Sequence, residues 1–166
     1  MSRFVSEVLA KHDRAAFASG NDKIDAYFRQ VISQDVKRNY AACYVLVERD
    51  SAKLAGFYTL TSSSIPLDEI PAAMARKLPR YPRVPAILIG WLARDIGFRG
   101  QDVGAMLLYD AFARIATSPV GAHAIFADAI DDDAVAFYKK NLFIPFAAKP
   151  RSLFLPIATA LDTMRS

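Results

Sequence analysis

Residues Ile87–Ala111, ILIGWLARDIGFRGQDVGAMLLYDA, contain the parts of an anion-binding turn. Ile87–Leu92 is apolar and of strand length. Arg94–Gly104 is polar and glycine-bearing. Val103, Met106, Leu107 and Ala111 then recur at helical spacing, with Leu108 and Phe112 widening the apolar face. A strand, a glycine-rich turn and a helix present backbone N–H groups and a positive helix end to an anion. Arg99 adds a fixed positive charge, and the chemistry this favours is phosphate binding. The Gly-Lys-Ser/Thr ending of a Walker loop is missing, as is the three-glycine spacing of a dinucleotide fingerprint. The residues alone leave a plain connection open as well.

Other reactive residue types are sparse: one cysteine and two histidines. Cys43 opens an apolar run and reads as a small core residue. His12 has no His or Cys near it in sequence and reads as a loop histidine, so no metal is expected. Asp131-Asp132-Asp133 reads as the start of a helix, where acids complement the dipole; three consecutive carboxylates do not converge on one centre. Arg76, Lys77, Arg80 and Arg83 surround Tyr81 in a proline-rich segment. That segment is either a solvated connector or a patch that touches a phosphate backbone.

The 166 residues fit one domain, 1–166, and the 53% apolar and 23% charged fractions fit a globular chain. A single cysteine excludes an internal disulfide framework. There is no apolar run of membrane-spanning length, and the first 14 residues carry charges throughout, so a cytoplasmic place without membrane contact is expected. The net charge of +4 allows a polyanionic partner or a phosphorylated cofactor without choosing between them.

These residues need elements to hold them. Phe4–Leu9 reads as a strand and Asp22–Val36 as an amphipathic helix, with Ile24, Tyr27, Phe28, Val31 and Ile32 on its apolar face. Ala42–Arg49 and Lys53–Ile65 read as a hairpin, and Gly56 marks a bulge or a close backbone approach. Pro66–Leu78 reads as a short helix, and Pro79–Pro85 as an extended connector that its prolines keep out of a central strand. Ala122–Ala129 reads as a strand, Asp132–Asn141 as a helix, Phe143–Phe146 and Ser152–Leu155 as the last strands, and Ile157–Met164 as a final helix. That order gives an α/β chain with a mixed sheet.

The motifs resemble the GCN5-related N-acetyltransferases (the GNAT superfamily) over nearly the whole chain. That family's pyrophosphate motif, Arg/Gln-x-x-Gly-x-Gly/Ala, follows a strand and opens a helix. Arg99-Gly100-Gln101-Asp102-Val103-Gly104 stands in that place, with Asp102 at the first glycine. Its Asn/Asp-x-x-Ala-x-x-Phe-Tyr helix is matched by Asp131–Tyr138, and Leu142-Phe143 replaces the Gly-Phe that follows. Within the superfamily, His12–Phe28, Ala55–Leu60, Leu78-Pro79, Val84-Pro85 and Arg151–Pro156 are similar to the toxin branch of bacterial type II toxin–antitoxin modules. Trp91 stands where that branch has arginine.

The resemblance implies the acyl-CoA N-acyltransferase fold, a mostly antiparallel sheet with one splayed parallel pair, flanked by helices. It implies acetyl-CoA as co-substrate, the α-amine of aminoacyl-tRNA as acceptor, a translation-blocking effect and a ribbon–helix–helix antitoxin, and it leaves a homodimer open. Leu92, Ala93, Arg94, Arg99, Gly100, Gln101, Asp102, Val103, Gly104, Ala105 and Asp131 would hold the cofactor. Tyr138 would protonate the departing thiolate. Arg76, Lys77, Arg80 and Arg83 would meet tRNA, with Lys37, Arg38, Lys139, Lys140, Lys149 and Arg151 as further candidates. A GNAT acting on a protein N-terminus or small amine, and a cofactor-impaired binding protein motivated by Asp102, are the alternatives.

Overall fold

The computed structural model describes residues 2–165; Met1 and Ser166, the ends of the expected domain, lie outside them. The chain forms two compact units, Met1–Thr61 with Gly90–Ala111, and Ser62–Ile89 with Phe112–Ser166. Seven strands are hydrogen-bonded in the order β1-β2-β3-β4-β5-β7-β6, with β1 Phe4–Val8, β2 Ala42–Glu48, β3 Leu54–Pro66, β4 Arg83–Arg94, β5 Ala124–Asp128, β6 Ile144–Pro145 and β7 Ser152–Pro156. The mixed, mostly antiparallel sheet expected from the sequence is present, and β4–β5 is its parallel pair.

In the first unit β1 runs antiparallel to β2, and β2 to β3. The β2–β3 register slips between Leu46↔Gly56 and Val47↔Leu54, so Ala55 is the extra residue of a bulge. Gly56 also sits where the backbones come close: a Cβ there would lie 2.8 Å from the Ala93 carbonyl oxygen and 2.7 Å from Leu107 Cδ1. Both readings of Gly56 hold.

The helix expected over Asp22–Val36 is interrupted. It runs as α1 (Asp22–Ala26), a π turn (Tyr27–Val31) and α2 (Ile32–Lys37). Asn21 caps it, its side chain accepting from the N–H groups of Lys23 and Ile24 at 3.0 and 3.2 Å. The π turn lets two aromatic neighbours stack at once. Tyr27 lies on Trp91 with centroids 4.1 Å apart, and Phe28 on Phe57 at 4.0 Å. The turn moves Val31 out to solvent, 41% exposed, and brings Ile32 fully into the core. Val31 is therefore not the core residue its spacing predicted. Cys43 is buried as expected, and burial pushes its thiol up to about 12, which leaves it a poor nucleophile.

In the second unit β4 and β5 are in parallel register from Ala86↔Ala124 to Ile89↔Ala127, and β4 runs on to Arg94. β7 pairs antiparallel with β5 and β6. Ile65, Ile70, Val84, Ala86, Ala124, Phe126, Phe146 and Phe154 form a core here. The predicted helix over Pro66–Leu78 is instead a 3-10 turn, Leu67–Glu69, followed by the single turn α3 (Ala72–Ala75). Pro71 explains the break: the residue before proline avoids helical angles, and Ile70 is extended at ψ 131. β4 also starts earlier than the prolines suggested and contains Pro85, whose carbonyl accepts from the His123 N–H at 2.8 Å. A proline carbonyl still serves at the first end of a ladder. The remaining helices are α4 (Val103–Ala116), α5 (Asp132–Lys140) and α6 (Ile157–Arg165).

Candidate active site

The first unit holds Leu92, Ala93 and Arg94 at the end of β4 and the whole turn into α4. Asp95, a loop acid that no motif marks, anchors this turn. Its carboxylate accepts from the N–H groups of Gly97 at 2.8 Å and Ala18 at 3.0 Å, and its own N–H reaches the Ala55 carbonyl at 2.8 Å. Arg3 fixes the next stretch. Its guanidinium donates to Gln101 Oε1 at 2.5 Å, pairs with Glu48, and lies 5.8 Å from the Phe98 ring centroid.

Beyond Phe98 the chain turns sharply. Gly100 is left-handed at φ 74, with nothing within 4 Å of where a Cβ would stand. Asp102 is left-handed too, at φ 58, and its carbonyl accepts the first α4 bond from Met106 N–H at 3.0 Å. Among the described residues no protein acceptor is found for the N–H groups of Gln101, Asp102, Val103, Gly104 or Ala105, and no hydrogen bond reaches the exposed Asp102 carboxylate. Asp102 is therefore not a side-chain cap. Val103 is fully buried and holds the helix start down. Arg94 Nε is buried without a hydrogen-bond partner among the described residues. An unfilled cation, a run of free N–H groups and an open glycine suit a polyanion of pyrophosphate type.

The second unit carries α5, whose start is capped as predicted: Asp131 Oδ1 accepts from the Ala134 N–H at 2.8 Å. Tyr138 is 6% exposed, and no hydrogen bond to its hydroxyl is found among the described residues. Burial, helped by the nearby Asp128 charge, raises its phenol above the ordinary range. It therefore stays protonated at every physiological pH.

The end of α5 fixes this tyrosine. Phe143 N–H bonds the Tyr138 carbonyl at 3.0 Å, Leu142 N–H bonds the Lys139 carbonyl at 3.0 Å, and the Tyr138 and Phe143 rings lie 5.0 Å apart. That is a Schellman stop, whose turning residue is left-handed and usually glycine. Here it is Leu142, at φ 73. We expect Leu142→Gly to stabilise the protein by about 1 kcal/mol, seen as a melting temperature raised by roughly 2–4 °C. An unchanged melting temperature would show that Leu142 recovers the strain through contacts.

The basic residues are not equivalent. Arg76, Lys77 and Arg80 are exposed, whereas Arg83 is tied to Ser64. Arg151 is engaged by Asp132 at 3.1 Å and by the Ile130 carbonyl. Lys139, Lys140 and Lys149 are exposed in the second unit, while Lys37 and Arg38 belong to the first.

No protein-family model matches the chain. A probable toxin TacT of Sinorhizobium fredii is 32% identical over 163 residues, 93% of this chain and 90% of that protein. The chain belongs to the toxin branch of the GNAT superfamily. A tRNA-acetylating toxin of Mycobacterium tuberculosis is 34% identical over 128 residues, 76% of this chain and 75% of its own. Among solved structures, a tyrosine-to-phenylalanine mutant of KacT superposes with a TM-score of 0.90 at 25% identity, covering 98% of this chain and 99% of that one. AtaTR bound with acetyl-CoA superposes at 0.83 with 26% identity, covering 99% of each. Both glycines that the GNAT motifs call for and this chain lacks, at Asp102 and Leu142, sit at left-handed backbone positions. Trp91, where this GNAT branch has arginine, is a packing residue stacked on Tyr27.

Proposed function

We propose that the chain is an acetyl-CoA-dependent N-acetyltransferase that acetylates the α-amine of aminoacyl-tRNA, acts in the cytoplasm as a translation-blocking toxin, and is held in check by a ribbon–helix–helix antitoxin. The observation that carries the chemistry is the buried, raised, unpartnered phenol of Tyr138. No described residue bonds this hydroxyl, and it is not one of the buried unpaired oxygens, so the phenol oxygen is open to a ligand while its ring is packed. The similarity to a tRNA-acetylating toxin and to a structure bound with acetyl-CoA supports the substrates.

In this reading the free N–H groups of Gln101–Ala105 and the side chains of Arg94 and Arg99 hold the pyrophosphate. A main-chain N–H at Leu92 or Ala93 stabilises the charge on the thioester oxygen. The neutral amine forms the new C–N bond as the C–S bond breaks. Tyr138 gives its proton to the leaving sulfur, the surplus amine proton leaves to solvent, and solvent returns one proton to the Tyr138 phenolate, so the turnover is proton-neutral. An α-amino group titrates near about 7.7–8.0, and esterification lowers it further, so no strong base is required. A cationic small-molecule acceptor is disfavoured because the acids that would attract it are used: Asp131 caps α5 and Asp132 pairs with Arg151.

Incubation with acetyl-CoA and aminoacyl-tRNA should give a product whose amino acid is heavier by one acetyl group, read by mass spectrometry. No acetylation across a set of aminoacyl-tRNAs, with acetylation of a peptide N-terminus, would transfer the activity to proteins.

Asp102 favours a second reading, a weakened cofactor site. A carboxylate among phosphate-binding N–H groups repels its ligand, by roughly 1 kcal/mol at 4 Å when solvated. Asp102→Gly removes that charge and relaxes the left-handed position. Calorimetric titration with acetyl-CoA should show about tenfold tighter binding, equivalent to about 1.4 kcal/mol. Equal affinities would clear Asp102 of any effect on the cofactor.

A further inference from the structure

The stretch His12–Phe28 takes no part in the acetyl-transfer steps, yet within the first unit it is tied to the cofactor turn. Phe17 roots the loop between β1 and α1. It is 2% exposed, and its ring meets those of Phe28 and Phe57 at centroid distances of 4.8 and 5.6 Å. Arg29 donates to its carbonyl. Ala18 is bonded to the turn on both sides: its N–H donates to Asp95 Oδ2 at 3.0 Å, and its carbonyl accepts from Ile96 N–H at 2.8 Å. Gly20 completes the contact. A Cβ on it would stand 3.5 Å from Ile96 Cγ2 and 3.9 Å from Arg99 Nη2, so the Arg99 guanidinium lies against this glycine. Arg99 is exposed, and no hydrogen bond or ion pair is found for it among the described residues.

A buried acid holds the tip of this loop. Asp25 is 7% exposed, and its Oδ1 accepts from both the N–H and the hydroxyl of Ser19, at 2.9 and 2.7 Å. Ser19 Oγ accepts in turn from the N–H of the capping residue Asn21 at 3.1 Å. Burying a carboxylate costs free energy unless donors meet it, and an apolar residue would fill the space without that cost. Both donors come from one loop residue, so what the acid secures is the loop. Ordering a free arginine on a ligand costs conformational entropy, and a surface that already limits its rotamers lowers that cost. Resting on the pyrophosphate reading of this turn, we propose that Asp25 and Ser19 are positioning residues for acetyl-CoA: they clamp the Phe17–Gly20 loop to the turn and so pre-order Arg99 for the phosphates.

The test titrates the full chain with acetyl-CoA by calorimetry. Asp25→Ala should weaken binding about tenfold, and Ser19→Ala should weaken it in the same way. Asp25→Asn, whose amide oxygen still accepts from Ser19, should stay near wild type. Arg99→Ala should also weaken binding, and adding Ser19→Ala to it should cause no further loss, because the clamp acts through Arg99. In steady-state acetylation of aminoacyl-tRNA, Ser19→Ala should raise the KM for acetyl-CoA and leave kcat and the KM for aminoacyl-tRNA unchanged. Ser19→Ala removes one oxygen and keeps the backbone bond to Asp25, so it should fold even if Asp25→Ala does not. Wild-type affinity in Ser19→Ala would overturn the proposal. So would an equal further loss when Ser19→Ala is added to Arg99→Ala, which would mean a general loosening of the unit. A raised KM for aminoacyl-tRNA in place of acetyl-CoA would make the loop an acceptor contact and overturn it too. If the wild-type protein binds no acetyl-CoA, the pyrophosphate reading falls and takes this assignment with it.

Discussion

Tyr138→Phe should lower single-turnover acetyl transfer by about a hundredfold or more, within the range for loss of a general acid. The substitution removes one oxygen atom. The ring remains against Phe137 and Phe143, and the Schellman bonds at the end of α5 are backbone bonds that need no hydroxyl. Because that hydroxyl makes no hydrogen bond with the described residues, its removal leaves no protein group unsatisfied. Stability and acetyl-CoA affinity should therefore match wild type, and the loss should fall on kcat.

The pH profile adds a second arm. A raised phenol pKa keeps the acid form in place through the region of about pH 10 where a free tyrosine ionises. Activity should not decline on account of Tyr138 below that region. The linked stability has the same sign: it is fully present below about pH 10, where folded and unfolded phenols are both protonated, and is lost at higher pH as only the unfolded chain ionises. A wild-type rate in Tyr138→Phe would remove the residue from the mechanism.

Gly56→Ala should destabilise the protein by about 3 kcal/mol, at the upper end for overpacking. The new methyl would stand 2.7 Å from Leu107 Cδ1, 3.2 Å from Val103 Cγ1 and 2.8 Å from the Ala93 carbonyl oxygen. Leucine can change rotamer, but a carbonyl in a strand cannot retreat without moving the strand. Val103 and Leu107 are the first buried residues of α4, so relief would push out the start of the helix that follows the anion-binding turn. Chemical denaturation should report the stability loss, and titration should report weaker acetyl-CoA binding in the same variant. Wild-type values for both would mean that the bulge at Ala55 gives enough slack to absorb a methyl group.

Much of this was legible in the residues. Period-two and helical patterns located the hairpin, α4 and α5, and the acids at Asp131–Asp133 announced a capped helix, because these signals are local. Cys43 read correctly as a core residue for the same reason. The exceptions come from contacts distant in sequence. The π turn at Tyr27–Val31 accompanies stacking on Trp91 and Phe57, neither of which a helical period can see. Asp95 looks like any loop acid until the Ala18 and Gly97 N–H groups are found on it. Asp102 could be matched to the motif's first glycine from the sequence, but that its backbone is left-handed there, and its carboxylate without a bond to α4, depends on the turn as folded.

The π turn has one more consequence, which concerns chain length. Ile24, Tyr27, Phe28 and Ile32 are the buried apolar residues of this helix, and Val31 is the one the turn sets aside. Without Val31 they would follow the spacing i, i+3, i+4, i+7 of an ordinary α-helix. The helix thus carries one residue more than its apolar face needs. An aligned partner with a regular helix here would be one residue shorter, and the gap would belong inside the helix rather than in the loops at either end.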